Sequence, residues 1–380
     1  MAPGPPSAKA PRFEFLRGQA LALGGAFLFA GLVGSIIIAV YGENPLGIYA
    51  TVWEFSTRRL SDVGRVLTNA TPLIFSGLAV AVAFKAGLFN IGVEGQYKVG
   101  MAAATAVAVS VDLPAFLLVP LVVLAAMAAS TAWAAIPAVL RVKTGAHEVV
   151  TTIMMNLIAV SLVAWALLNP LRTSEQGLID LRSDVFPEAA RIPLLGPSLG
   201  LDIPRSVNLS WLFVVAILAC VVVWILLYRS RLGFEVRAVG ASAGSAEAGG
   251  VSIGATQIKV FLISGALAGL VGLNHLLADK GFLGVNYQSG LGFEGIAVAF
   301  LGRNHPFGIL LSAILIGVIT RGQDGVAVTS SLPTEILIIL QGVLILSVVI
   351  AYELVNRALR RRQLHAAEAS PVEPVPEGAA

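Results

Sequence analysis

Apolar runs of about twenty residues recur along almost the whole chain, and nothing constrains its fold more. A helix needs about 20 apolar residues to cross a bilayer. Candidate segments are Ala20–Val40, Val66–Phe84, Ile91–Val111, Leu113–Leu140, Val149–Leu168, Leu209–Tyr228, Lys259–Ala278, Gly290–Leu301, Phe307–Thr320 and Ile336–Tyr352. Composition agrees: the 380 residues are 57% hydrophobic and only 12% charged, about half the charge of a soluble chain. Mean hydropathy is +0.85. The expected fold is all-α, a polytopic integral membrane protein of about ten transmembrane helices. Gly290–Leu301 and Phe307–Thr320 fall short of a full span and read as short tilted helices or half-helices.

The basic residues read as topology signals, not as a nucleic-acid surface. Lys9, Arg12 and Arg17 precede the first run. Arg141 and Lys143, then Arg229, Arg231 and Arg237, then Arg303, then Arg357, Arg360, Arg361 and Arg362 fall on the same side of a ten-span alternation. That side is expected to be cytoplasmic, with both termini on it. Residues 1–19 form an N-terminal tail, 20–355 the membrane domain, and 356–380 an Ala-, Glu- and Pro-rich tail of disordered composition. The first run is too long for a signal-peptide core and reads as a retained span. Residues 170–208 fall outside. They mix Arg172, Arg182, Arg191 and Arg205 with Glu175, Asp180, Asp184, Glu188 and Asp202, and read as an ordered lid or docking segment. Arg58 and Arg59 in the outer segment Glu43–Asp62 run against the bias locally. The single cysteine, Cys220, excludes a disulfide framework and reads as packing.

Two segments share one pattern: Gly92-Val93-Glu94-Gly95 and Gly292-Phe293-Glu294-Gly295. Each lies near a span and is followed by small apolar residues, so the chain reads as two pseudo-repeated halves. An intramembrane glutamate is costly unless paired, which marks Glu94 and Glu294 as functional candidates. Two readings stay open: each carboxylate lines a solute path, or each accepts backbone N–H groups at a broken helix end. Asn90 and Gln96 flank the first motif, and Phe89 and Phe293 offer rings to a planar solute. The rings of Phe89, Phe293 and Phe300 read equally as packing. Asn156, two turns into its span with Thr151 and Thr152 near one face, either meets solute or joins helices. Asn69, Asn274, His275 and Gln341 are further scattered polar residues.

The stretch Arg229–Val251 is the longest polar segment on the inner side. Ser242–Ala248 can form a short helix, capped by Ser242 or Ser245 and ended by Gly249 and Gly250. It reads either as an ordinary Ala/Gly-rich loop or as a stiff element that receives force from an ATPase. His147-Glu148 reads as an inner gate or helix-start contact. His147 lacks the H-E-x-x-H spacing of a metalloenzyme. No Walker A pattern is present, so ATP would need a separate subunit. No catalytic constellation appears, and the chain is not expected to be an enzyme or to hold a cofactor or metal.

Four stretches together resemble the sugar- and nucleoside-type permeases of ABC importers. They are Gly87–Gln96, Gly145–Asn156, Gly292–Gly302 and the run Arg237-Ala238-Val239-Gly240-Ala241-Ser242 through Glu247 and Val251 into Lys259–Gly272. Gly145–Asn156 and Gly292–Gly302 point to the nucleoside branch, whose external receptors are basic-membrane-protein lipoproteins. The resemblance covers roughly 66–352. It implies a permease subunit that translocates nucleosides across the bacterial cell membrane. It also implies a partner ATPase carrying ATP and Mg, a paralogous permease as heterodimer partner, and a substrate-binding lipoprotein outside. Phe89, Asn90, Glu94, Gln96, Asn156, Phe293 and Glu294 would lie along the solute path. Residues 229–255 would be the cytoplasmic coupling loop, with Arg237, Ser242, Ser245, Glu247 and Gly250 at the ATPase contact. A simple-sugar permease is the near alternative. A proton-coupled secondary transporter using Glu94, Glu294 and His147 is the distant one.

Overall fold

The structure, a computed structural model, describes residues 10–173 and 181–368. Glu175 and Asp180 of the expected outer loop, Lys9 and the end of the C-terminal tail lie outside the described residues. In chain order the helices are α1 (Ala10–Val40), α2 (Pro45–Thr57), α3 (Leu60–Lys85), α4 (Val93–Ser110), α5 (Ala115–Thr144), α6 (Glu148–Leu168) and the short α7 (Leu195–Ser198). They continue with α8 (Leu212–Arg229), α9 (Arg231–Ala241), α10 (Ala243–Ala248), α11 (Ile253–Ala268), α12 (Leu291–Leu301), α13 (Pro306–Thr329) and α14 (Thr334–Glu368). A π-helical turn, Asn274–Lys280, precedes α12. Strand pairing among the described residues is limited to two isolated bridges.

Each of the ten expected apolar segments carries a helix. Five of the helices, α3, α5, α6, α8 and α13, are long and apolar enough to cross a membrane, or six if Gly24–Val40 with Pro45–Thr57 is counted as one broken span. Ile253–Ala268, Leu291–Leu301 and Glu335–Val348 are shorter apolar helices.

Three boundaries differ from the sequence expectation. The segment Phe307–Thr320, expected to be short, belongs to a 24-residue helix. It continues past Thr320 because Arg321 is held by Asp62 at 2.8 Å and Asp324 at 3.0 Å, so the charges do not break it. The segment Lys259–Ala278 is not one span: α11 ends at Ala268 and the chain passes through turns into the π-turn. Residues 356–368 of the expected disordered tail are helical, as part of α14.

The chain forms two units, residues 1–49 with 330–380, and residues 50–329. In the smaller unit α1 packs against α14. There Tyr49 donates its hydroxyl to the Gly31 carbonyl at 2.8 Å, and Ser331 donates to Glu43 at 2.8 Å. The larger unit is organised around α3. Its apolar stretch is 83% buried, against 22–44% for the other long apolar helices. Helices α8, α11, α12 and α13 pack around it. Helix α5 in turn packs on α4 and α11. Cys220 is buried in α8.

The segment after residue 180 is ordered. Ser183 N–H donates to the Leu283 carbonyl at 2.8 Å and Phe186 N–H to that of Gly281 at 2.7 Å. It is thereby stitched to the loop between the π-turn and α12. Ile203, Val207 and Leu209 form a small apolar cluster with Leu67 and Phe213, which holds the segment against α3 and α8.

Candidate functional site

Both G-x-E-G motifs start helices. Glu94 stands in the first turn of α4 and Glu294 in the first turn of α12. Free N–H groups there favour a carboxylate. The two motifs also touch each other. A Cβ on Gly292 would collide with the backbone of Glu94, so only glycine allows this approach.

Glu94 is buried, and its carboxylate is surrounded by donors. Lys98 Nζ lies 2.8 Å from Oε1, with both side chains about 5% exposed or less. Gly290 N–H donates to Oε1 at 2.9 Å and Gly292 N–H to Oε2 at 2.9 Å. The Ser289 hydroxyl donates to Oε1 at 3.0 Å and itself accepts from Lys98 at 3.0 Å. The Tyr97 hydroxyl lies 3.1 Å from Oε1 and 2.9 Å from the Gln288 carbonyl. One carboxylate thus ties α4 to the N-terminus of α12 and neutralises a buried ammonium.

A second polar knot sits beside it. Asn90 and Gln96 form a reciprocal carboxamide pair at 3.0 and 3.1 Å. Asn90 also donates to the Ser264 hydroxyl at 2.8 Å, and Ser264 donates to the Ala79 carbonyl at 2.6 Å. The knot ties α3, α4 and α11. Asn156 of α6 accepts from Gly95 N–H at 2.8 Å and donates to the Ile91 carbonyl at 3.0 Å. Of the readings open for Asn90, Glu94, Gln96 and Asn156, this geometry is that of helix joining: each side chain is buried and engaged with its neighbours.

The other path candidates differ. Phe293 is 51% exposed, and Glu294 is exposed beside it. Among the described residues the Glu294 side chain makes no hydrogen bond or ion pair. Phe89 packs edge-on to Phe84 at 5.9 Å and stacks on Phe300 at 6.0 Å. That three-ring cluster excludes Phe293. His147 caps α6, its Nδ1 accepting from Val149 N–H at 3.3 Å, which is a helix-start contact.

The coupling candidates sit on two consecutive helices, one of which, α9, reads in the sequence as loop. Ser230 caps α9, accepting from Gly233 N–H at 3.0 Å, and Ser242 caps α10, accepting from Ser245 N–H at 3.3 Å. Ser242, Ser245, Glu247 and Gly250 are exposed. Arg237 instead turns inward and stacks over Tyr228 at 5.5 Å. Val236 and Val239 bury the inner face of α9. Gly240 lies so close to the Lys85 carbonyl that a Cβ would collide with it. The α9–α10 pair therefore bears directly on the turn that leads from α3 into the Asn90 knot.

At the other end of α3 the structure holds a polar cavity of about 350 Å³, lined by Arg65, Asn69, Asn208, Asp279, Gln288 and Asp324 among others. Asn69, Asn274 and His275 stood out in the sequence as polar residues near spans. Arg65, Gln288 and Asp324 did not, because each lies in a loop or at a helix end where polarity is ordinary. Asp279 lies just beyond the expected span. The contact from His275, 3.2 Å away, holds its carboxyl below the usual carboxylate range.

The family described as branched-chain amino acid transport system / permease component matches residues 63–349. The chain belongs to this permease family. It is 36% identical over 329 residues to the guanosine ABC transporter permease protein NupP of Bacillus subtilis, covering 86% of this chain and 92% of that one. It is 34% identical to the glucose ABC transporter permease protein TsgB13 of Haloferax volcanii, covering 84% of each. It is 30% identical to the nucleoside ABC transporter permease protein NupB of Lactococcus lactis, covering 91% of this chain and 94% of that one. With the run of apolar helices, family membership makes this permease an all-α, multi-pass membrane protein.

Proposed function

We propose that this permease is the membrane-spanning subunit of an ATP-driven importer and that its solute is a nucleoside. Likeness to guanosine and nucleoside permeases over most of the chain supports the solute class. The observation that carries the mechanism is the contact of Gly240 with the Lys85 carbonyl. An exposed pair of capped helices rests there on the end of the most buried helix. ATP and Mg belong to a separate ATPase that docks on α10, at Ser242, Ser245, Glu247 and Gly250. Closure of that ATPase displaces α9–α10. The displacement reaches the 85–92 turn and the Asn90–Gln96 pair, and then changes how α4 meets α12 at Glu94. Access to the path switches accordingly from the outer to the inner side.

The path runs along the exposed face of α12. A carboxylate on an apolar helix is too costly to face hydrocarbon, so Glu294 faces water or protein. A paralogous permease supplies the opposite wall. An external lipoprotein delivers the solute to the segment 170–208. The complex sits in the bacterial inner membrane with both termini cytoplasmic. A glucose importer is the second reading, favoured by the 34% identity to the archaeal glucose permease.

The first test is Glu247→Arg. It is expected to abolish ATP-driven uptake while the protein still inserts, because Glu247 is exposed and supports no packing. Normal uptake would mean that the ATPase docks elsewhere. The second is ATPase stimulation of the reconstituted complex by nucleosides and sugars, each offered with the receptor. Guanosine is expected to stimulate and glucose not to, and the reverse result selects the sugar reading.

A further inference from the structure

The buried polar side chains around Glu94 and Asn90 are committed to other protein groups. Three less buried side chains at the outer end of α3 are not: Arg65 and Asn69 are half-buried and Gln288 is exposed. Arg65 and Asn69 on α3 and Gln288 ahead of α12 make no hydrogen bond or ion pair through their side chains among the described residues. All three converge on the 350 Å³ cavity. Their neighbours are fixed: the Thr68 hydroxyl reaches the Val207 carbonyl at 2.9 Å, Asn208 donates to Asp279 at 2.8 Å, and Ser210 donates to Asn274 at 2.6 Å. The walls are held by bonds of their own, while three hydrogen-bonding groups are left for an occupant.

The occupant's chemistry follows from those groups. Two carboxamides each offer a donor and an acceptor, and a guanidinium offers only donors. Hydroxyl groups and base-edge amides match the first two, and a carbonyl or ring nitrogen matches the third. The volume lies at the lower end of the usual range for small-molecule sites, roughly 300–1,000 Å³, enough for one such solute. Two carboxylates, Asp279 and Asp324, share the cavity with Arg65, and both are already engaged, Asp279 by His275 at 3.2 Å and Asp324 by Arg321 at 3.0 Å.

We infer that this cavity is a solute site at the mouth of the permease that takes a nucleoside through Arg65, Asn69 and Gln288. The inference rests on the nucleoside reading above and adds to it a place where solute pauses between receptor and path. Binding there is weak, since solute must leave it again with each cycle.

The test uses the full-length chain in lipid nanodiscs and the reconstituted importer, with tritiated guanosine as probe. Guanosine is expected to bind saturably. Asn69→Leu and Gln288→Leu are each expected to weaken guanosine binding by about tenfold, the effect of one lost hydrogen bond. Asn69→Gln keeps the carboxamide and is expected to stay within about threefold of the wild type, which separates a lost contact from a lost fold. Wild-type binding by both Leu variants overturns the site. Uptake and binding of glucose instead of guanosine, still abolished by both Leu substitutions, overturns the nucleoside reading and upholds the cavity as a solute site.

Discussion

Gly92–Gly95 and Gly292–Gly295 share a pattern and a place at the start of a helix, and their glutamates have opposite surroundings. Glu94 is buried, paired with Lys98 and bonded to backbone N–H groups of the other motif. Glu294 is exposed and free of ion pairs. The glycines, by contrast, behave alike. At the matching last glycines, a Cβ on Gly95 would lie 2.8 Å from Asn156 Oδ1 and a Cβ on Gly295 would collide with Ser76. A repeated motif thus conserves backbone geometry in both halves and leaves its carboxylates free to diverge. One half uses the charge to fasten helices, and the other presents it at the surface of an apolar helix.

The strongest way to break this contrast is to neutralise Glu94. Glu94→Gln leaves the Lys98 ammonium buried without its carboxylate, and removing one partner of a buried pair costs about 3–5 kcal/mol. A large fall in the thermal midpoint of the detergent-purified chain is expected. The double variant Glu94→Gln/Lys98→Met is expected to recover a substantial part of the loss, because no orphan charge remains. An unchanged midpoint for Glu94→Gln would mean that the pair does not hold the two motifs together.

The glycines give the next effect. Gly95→Ala and Gly295→Ala each force a methyl group into packed protein, at about 1–3 kcal/mol. Both substitutions are expected to lower the thermal midpoint by similar amounts. A loss at one position only would show that the motifs are not equivalent in backbone packing either.

How much of this was legible in the sequence depended on the range of the interaction. The spans were legible because uninterrupted apolar runs are local. The end of α13 was not, because Arg321 and Asp324 look like a boundary until Asp62, far away in sequence, is seen to bind Arg321. Helix α9 was missed because only Val236 and Val239 carry its buried stripe, too few to stand out among Arg231, Glu235 and Arg237. The cap on α10 was legible from Ser242 and its following small residues. At the site, the Glu94–Lys98 spacing of four was available in the sequence as a helical ion pair. The donors from Gly290 and Gly292 were not, since nothing local links positions about two hundred apart. Asn69 stood out because a polar residue inside an apolar run is conspicuous. Arg65 and Gln288 did not, so the cavity they share was invisible before folding.

The smallest effect on stability is expected at Glu294, and it decides whether the contrast has functional meaning. The side chain is exposed and unpaired, so Glu294→Gln removes a charge that fastens nothing. Its thermal midpoint is expected to match the wild type, within about 0.5 kcal/mol. Uptake is a different matter. A carboxylate at the wall of a watered path accepts strong hydrogen bonds from solute hydroxyls, worth about 1.5–3 kcal/mol each. Replacing it by a neutral amide weakens that contact and is expected to slow uptake by about tenfold. Proteoliposome uptake and a melting curve on the same preparation separate the two. Slowed uptake with unchanged melting assigns Glu294 to the path and Glu94 to the scaffold. A fall in melting with unchanged uptake would reverse that assignment for Glu294, and the two motifs would then be two copies of one structural device.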